Sequence, residues 1–427
     1  MAKQHDTLTL GTDPIGRLLT QYAIPAIIAM TASSLYNMAD SIFIGQGVGA
    51  STLVAMKLGQ KDYAGANHVL GNVLVLNVIL GLLFMAVFLV FLDPVLLFFG
   101  GSEQTIPYAK DYMRIILYGN VITHMYLGLN SVLRSSGFPR MAMYTTLLSV
   151  VVNCVLNPIF IFAWGWGIQG AAWATVISQS ISLAFQVVHF AKPESLLHFQ
   201  KGIYRLKAEV VRGIISIGLS PFLMNLCSCL IVILINRGLK EHGGDMAIGA
   251  YGIVNRIAFL FVMIILGFNQ GMQPIAGYNY GARLLPRVLE VTRLTTYCGV
   301  SVATLGFLLC EGIPEWIVRM FTTDKELIEQ SVFGLRIVFA VFPLVGFQMV
   351  STNFFLSIGM SKKAIFLSLT RQMLFLIPGL LILPSLLGTS GVWVSMPISD
   401  FMAFMVTFIL LRKQFRLMRS EQLAVSN

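Results

Sequence analysis

Asp40 is the residue most able to do chemistry. It stands in Ser34-Leu-Tyr-Asn37-Met-Ala-Asp40-Ser41, deep in a long apolar run. A carboxyl taken out of water costs several kcal/mol, so its presence in a span makes it a functional candidate by default. Removed from solvent, such a group holds its proton more readily and could carry one near neutral pH. With amide and hydroxyl oxygens beside it, the same group could instead bind a dehydrated Na+, a hard ion that takes oxygen ligands. The plain alternative is a carboxylate near a helix end, because Gly45 follows five residues on. A second polar group is the pair Asn153 and Asn157, four apart and so on one helix face. Pro158 follows directly, and a proline removes a backbone donor and perturbs the local helix. Asparagines in an apolar run also serve as packing glue between helices. Later apolar runs hold Arg256, Gln270, Gln273, Arg371 and Asp400. Arg371 and Asp400 could pair or line a cavity, or be structural or snorkelling side chains.

Other chemistries lack their residues. The sequence has no Gly-x-x-x-x-Gly-Lys-[Ser/Thr] phosphate loop, and no nucleophile stands with a base partner. No enzyme activity and no cofactor are expected, so work must draw on an ion gradient or a partner subunit. The five cysteines lie in or beside apolar segments without metal-ligand companions, and read as free thiols.

The elements that position these residues follow from composition. Of 427 residues, 56% are hydrophobic and only 11% charged, with a mean hydropathy of +0.78. A soluble domain carries about 25% charged residues, so the matching solvent is lipid. Apolar runs near the roughly 20 residues needed to cross a bilayer fall at 16–44, 66–92, 112–134, 141–163, 168–190, 212–236, 247–273, 288–310, 331–356, 364–384 and 389–411. These eleven long, continuous runs predict an all-α polytopic membrane protein rather than a barrel of short alternating strands. The net charge of +10 is concentrated between runs, at Lys57/Lys61, Arg134/Arg140, Lys201/Arg205/Lys207/Arg212, Arg283/Arg287/Arg293, Lys362/Lys363 and Arg412/Lys413/Arg416. Such loops face the cytoplasm, and with them the C-terminus. The pattern speaks against nucleic acid as a partner. The polar stretch Met1 to Gly16 has no apolar signal core. One interval breaks the alternation: Lys3 and Arg17 read as cytoplasmic, and so do Lys57 and Lys61, yet only the run at 16–44 separates them. About one helix is missing near 45–55.

The chain also repeats itself. Gly59/Gly281, Phe99/Phe321, Arg114/Arg336, Gly137/Gly359 and Ala142/Ala364 all pair at one separation, 222 residues. Gly170/Gly391 and Trp173/Trp393 continue the match at 221 and 220. Upstream, Pro25 pairs with Pro221 at only 196, so the first half is 26 residues shorter, between 25 and 59. We expect two pseudo-symmetric lobes, 1–200 and 201–427, the first lacking most of its second helix. Parallel repeats with a site between them are a transporter plan.

Five stretches make a resemblance specific. Tyr-Asn-Met-Ala-Asp-Ser-Ile-Phe-Ile-Gly in the first run, Asn-x-x-x-Asn-Pro-Ile-Phe, and Gly-Ile-Gln-Gly-Ala-Ala-Trp-Ala-Thr175 are similar to segments of the multidrug and toxic compound extrusion (MATE) family. So are Gly249-Ala-Tyr-Gly-Ile-Val-Asn-Arg256 and Asn269-Gln-Gly-Met-Gln-Pro-Ile-Ala-Gly-Tyr-Asn-Tyr-Gly281. The resemblance implies a bacterial member with two six-helix lobes, about eleven spans standing where the family has twelve. It implies export of amphipathic or cationic compounds in exchange for H+ or Na+, from the cytoplasmic (inner) membrane, by a monomer in contact with membrane lipid. It places a cation site, for H+ or Na+, on Asp40, Asn153, Asn157 and Thr175, with Asn37 nearby. This sequence departs at Asn157, where many relatives carry Asp. Two other readings stay open: a lipid-linked or polysaccharide flippase of related fold, and a truncated variant that folds without transporting.

Overall fold

The computed structural model describes residues 44–92 and 106–426, so Asp40, Asn37 and nearly all of the first expected span lie outside the described residues. Every regular element among the described residues is helical. In chain order these are α1 (Ile44–Gly59), α2 (Tyr63–Val90), α3 (Ile106–Tyr118), α4 (Asn120–Ser135), α5 (Pro139–Pro158), α6 (Gly167–Phe190) and α7 (Ala208–Gly281). There follow α8 (Leu285–Gly312), α9 (Pro314–Arg319), α10 (Lys325–Phe339), α11 (Phe342–Ser357), α12 (Ser361–Leu369), α13 (Ile377–Leu387) and α14 (Thr389–Ser426). Two π-helical turns, Ile159–Ala163 and Thr370–Leu376, continue α5 and α12.

Seven of the described helices, or eight if the bent pair α10–α11 is one span, are long and apolar enough to cross a membrane. Among these, α7 is counted once but breaks at Gly244 (φ 66°, ψ −163°) and supplies both runs expected at 212–236 and 247–273. Leu83 and Val90 on α2, Leu308 on α8 and Leu381 on α13 are more than half exposed. Apolar surface of that kind on long helices, whose backbone bonds are all internal, suits hydrocarbon rather than water.

Two of the expected runs are broken into helix pairs. The run 112–134 is two helices, α3 and α4, joined at Gly119, where an added Cβ would lie 2.4 Å from Val176 Cγ2. Likewise 331–356 is α10 and α11, bent by 52° with Pro343 opening α11. Residues 45–55, the junction where the sequence is about one helix short, are helical within α1. The glycines of α1 explain how it is held. A Cβ on Gly45 would come within 2.3 Å of Gly218 O, and one on Gly49 within 2.3 Å of Ile214 O. The spacing Gly45-x-x-x-Gly49 lets the backbones of α1 and the start of α7 touch, as small residues do between membrane helices.

The repeat is written into the backbone. α2 (63–90) and α8 (285–312) have the same length, displaced by 222 residues. So do α4 (120–135) and α11 (342–357). Among the described residues, the non-glycine residues with positive φ are Lys61 (60°) and Arg283 (59°), also 222 apart, and Gly137 (97°) pairs with Gly359 (75°). A left-handed residue is costly outside glycine; its recurrence at the same step marks one turn design used twice. In the first copy Asp62 N–H bonds to Lys57 O at 2.9 Å, in the second Leu284 N–H to Asn279 O at 2.8 Å. Asp62 also caps α2 through Gly65 N–H at 2.8 Å and pairs with Lys57 Nζ at 2.9 Å. The Lys57 ammonium, helped by the Gly65 N–H, holds the Asp62 carboxyl below its usual 3.8.

The described helices gather into two compact units that divide between Gly218 and Leu219. In the first, α4 packs on α1, α2, α5 and α6; in the second, its counterpart α11 packs on α8, α12 and α14. Buried asparagines tie these helices. Asn77 Nδ2 donates to His124 O at 3.1 Å and Asn120 Nδ2 to Gly81 O at 3.0 Å, joining α2 to α4. Asn130 Nδ2 donates to Ala142 O at 2.8 Å, joining α4 to α5.

Candidate functional site

Asn153 and Asn157 project from the last turns of α5, and Thr175 from α6. Asn157 Nδ2 donates to Asn153 Oδ1 at 2.8 Å, and Asn153 Nδ2 donates to Thr175 Oγ1 at 3.3 Å. Thr175 Oγ1 in turn donates to Ala171 O at 3.0 Å. The chain of bonds leaves one end open: Asn157 Oδ1 is buried and has no hydrogen-bond partner among the described residues. A buried acceptor without a donor costs about 1–3 kcal/mol, which makes its position informative.

Two sequence features build this corner. Pro158 ends the regular α-helix, and the chain continues as the π turn Ile159–Ala163, a distortion often found at functional sites. Gly170 then allows α6 to close on that turn, since a Cβ there would lie 2.8 Å from Phe160 O. What converges is a set of amide and hydroxyl oxygens between two helices, a donor set suited to a hard cation or a donated proton. Asn153, Asn157 and Thr175 are thus brought together, while Asp40 and Asn37 lie outside the described residues.

In the second unit Arg371 Nε donates to Asp400 Oδ1 at 2.6 Å, and the Asp400 side chain is 7% exposed. Arg371 sits in the π turn Thr370–Leu376, and the next residue, Gln372, donates from Nε2 to Ser228 Oγ at 3.0 Å. Arg256 is exposed on α7, and Gln273 is buried. Gln270 Oε1 is buried and lacks a partner among the described residues, as do Gln348 Oε1, Gln372 Oε1 and Asn269 Oδ1. Sequence reasoning passes over Gln348, Gln372 and Asn269, because a neutral amide in an apolar run stands out less than a charge. The available signal is Asn269 itself, which opens the stretch Asn269 to Gly281 already noted as a motif.

Long apolar helices, a backbone pattern repeated at a step of 222 residues and polar groups buried at helix breaks define a multi-pass membrane transporter. The MatE family model matches residues 26–159 and again 217–382, and the chain belongs to that family of transporters. The first matched stretch is the shorter of the two. The chain is 25% identical to the multidrug export protein MepA of Staphylococcus aureus (strain MSSA476) over 445 aligned positions, covering 96% of each. That alignment is longer than the chain, so it opens gaps in this sequence. MepA of Staphylococcus haemolyticus (strain JCSC1435) is 26% identical over 94% of this chain and 95% of the relative. Among solved structures, the MATE multidrug transporter DinF-BH superposes with a TM-score of 0.85 at 34% identity, covering 94% of this chain and 96% of that one. A MATE structure in the bent conformation gives a TM-score of 0.91 at 23% identity, with 97% and 98% covered, and supports the fold.

Proposed function

We propose that this protein is a secondary active exporter that antiports amphipathic or cationic compounds against H+ or Na+ by alternating access. It works in the bacterial inner membrane as a monomer, with the lobes 1–200 and 201–427 as its moving halves and its C-terminus in the cytoplasm. The observation that carries the reading is the bonded set Asn153, Asn157 and Thr175 with a buried, unpartnered acceptor on Asn157. In this reading Asp40 supplies the charge, Asn37 supports it, and the oxygens of Asn153, Asn157 and Thr175 complete the shell for Na+ or take part in holding a proton. A cationic substrate competes with the coupling ion for that one negative charge, and the competition is the coupling. In the second lobe, Arg256, Gln270, Gln273, Arg371 and Asp400 are the candidates for lining the substrate path. Because Arg371 is already engaged by Asp400, it offers little to a phosphate, which disfavours the flippase alternative.

The test is efflux of a cationic dye from cells expressing the chain, beside a version with a restored second helix. Proteoliposomes with either an H+ or a Na+ gradient then identify the ion. The reading requires Asp40→Asn to abolish efflux. Equal efflux by that variant removes the site, and no efflux by the parent chain beside active efflux by the restored version favours the transport-incompetent reading.

A further inference from the structure

Residues 191–207, which connect α6 to α7, lie clasped on α2. Asn67 accepts from His198 N–H through Oδ1 at 3.0 Å and donates through Nδ2 to Leu196 O at 3.1 Å. Asn72 accepts from Lys207 N–H at 2.9 Å and donates to Ile203 O at 3.1 Å and Arg205 O at 3.0 Å. Gly71 between them lets the connection lie on the helix, since a Cβ there would be 2.3 Å from Ile203 O. Two asparagine side chains therefore fix the backbone of an otherwise irregular segment, and with it the positions from which Arg205 and Lys207 project.

Two cavities result, and they share a wall at Tyr204. One, of about 600 Å³, is lined by His68, Gly202, Tyr204, Arg205 and Lys207. His68 Nδ1 is buried and has no hydrogen-bond partner among the described residues. Arg205 and Lys207 are exposed. Asp62, which feels the charge of Lys207, is already bonded to Lys57 at 2.9 Å and leaves the bowl basic. The second cavity, of about 420 Å³, is apolar, with Leu74, Val75, Val78 and Ile79 of α2 facing Phe199 and Tyr204 of the connection. From His68 to Ile79 along α2 is about 16 Å at 1.5 Å per residue. That is close to half the hydrocarbon thickness of roughly 30 Å.

We propose that this pair of cavities binds one anionic phospholipid, its phosphate held by Arg205, Lys207 and His68 and its acyl chain along the groove of α2. A basic bowl opening onto an apolar groove at the end of a span has the charge and the shape of that molecule. A soluble anion uses the bowl alone; a neutral lipid uses the groove alone. Tyr204 at their junction sits where aromatic side chains meet headgroups.

The proposal is independent of transport and is tested by binding. The purified full-length protein in detergent is titrated with phosphatidylglycerol and with phosphatidylcholine of the same acyl chains, and adducts are read by native mass spectrometry. The parent chain should prefer phosphatidylglycerol. The double variant Arg205→Gln/Lys207→Gln should bind it about twenty-five-fold more weakly, at roughly a factor of five per basic residue near a headgroup. Its affinity for phosphatidylcholine and its lipid-free thermal unfolding should be unchanged. Val78→Trp, which fills the groove, should weaken both lipids. Inorganic phosphate should not displace the adduct; if it does, the bowl is a free-phosphate site and the lipid assignment is wrong. Unchanged phosphatidylglycerol binding by the double variant, or an equal loss in the control Arg412→Gln/Lys413→Gln, also overturns the proposal.

Discussion

Asn157 concentrates the chemistry of the first unit in one atom. Its Nδ2 is spent on Asn153 and its Oδ1 is buried without a donor among the described residues, so an amide that looks like glue has half its capacity left over. Replacing it tests what that half does. Asn157→Ala should lower dye efflux about tenfold, the equivalent of roughly 1.4 kcal/mol from one lost oxygen contact, with the lipid-free unfolding temperature little changed. Asn157→Asp restores a second carboxyl and should make efflux depend more steeply on an imposed proton gradient, read in proteoliposomes at fixed membrane potential. Asp62 shows a different kind of residue effect. Its carboxyl is held below the usual 3.8 by Lys57 and the cap to Gly65, so the folded state binds its proton less readily than the unfolded chain. The turn's contribution is therefore complete above about pH 4 and is lost as pH falls through the lowered folded value. Asp62→Ala should remove the cap, costing about 1 kcal/mol, and should flatten the acid limb of thermal stability measured between pH 3 and 6.

Helices in this chain are positioned by what they omit. Gly45 and Gly49 give α1 its hold on the start of α7 because their faces carry no side chain. Gly49→Val places atoms against the backbone oxygen of Ile214 and should cost about 1–3 kcal/mol by overpacking. Gly47→Ala meets the Ser131 hydroxyl, 2.7 Å from the added Cβ, and a side chain that can rotate should make that change milder. Comparing the two unfolding temperatures in detergent checks the argument. The breaks in the other helices have the same local character: Gly119 between α3 and α4, Pro343 at the head of α11, Gly244 within α7. Hydrophobic runs make these helices visible in sequence, because length and apolarity alone define a span. They do not show the breaks, because a run stays apolar through a bend. α1 escapes notice for the opposite reason, since three glycines in five residues resemble a loop until a neighbouring backbone is seen against them.

Taken whole, the molecule is a duplicated helical bundle, and the duplication is its most legible feature. Five residue pairs set the step of 222, and helix bounds and two pairs of positive-φ turns keep it to the residue. The repeat is readable because the same turn recurs with glycine at its positive-φ position, Gly137 in one copy and Gly359 in the other. The polar corner on α5 and α6 is legible only through resemblance, since spacing alone puts Asn153 and Asn157 on one face and says nothing of Thr175. Membrane orientation rests on charge and has its own test. Single cysteines at Lys201 and Arg416 should be labelled by an impermeant maleimide only when the cytoplasmic face is opened, and one at Gly165 from outside intact cells.

The π turn after Pro158 delivers the chain to a small group of indoles. Phe160 stacks on Trp164 at 4.8 Å, and Trp164 meets Trp166 edge-on at 5.0 Å. The chain has five tryptophans, and Trp164, Trp166 and Trp173 all fall within sixteen residues of Asn157. The protein therefore carries its own optical probe: an ion that settles against the Asn157 oxygen and shifts that turn should change the intrinsic emission, with no dye attached and no transport required.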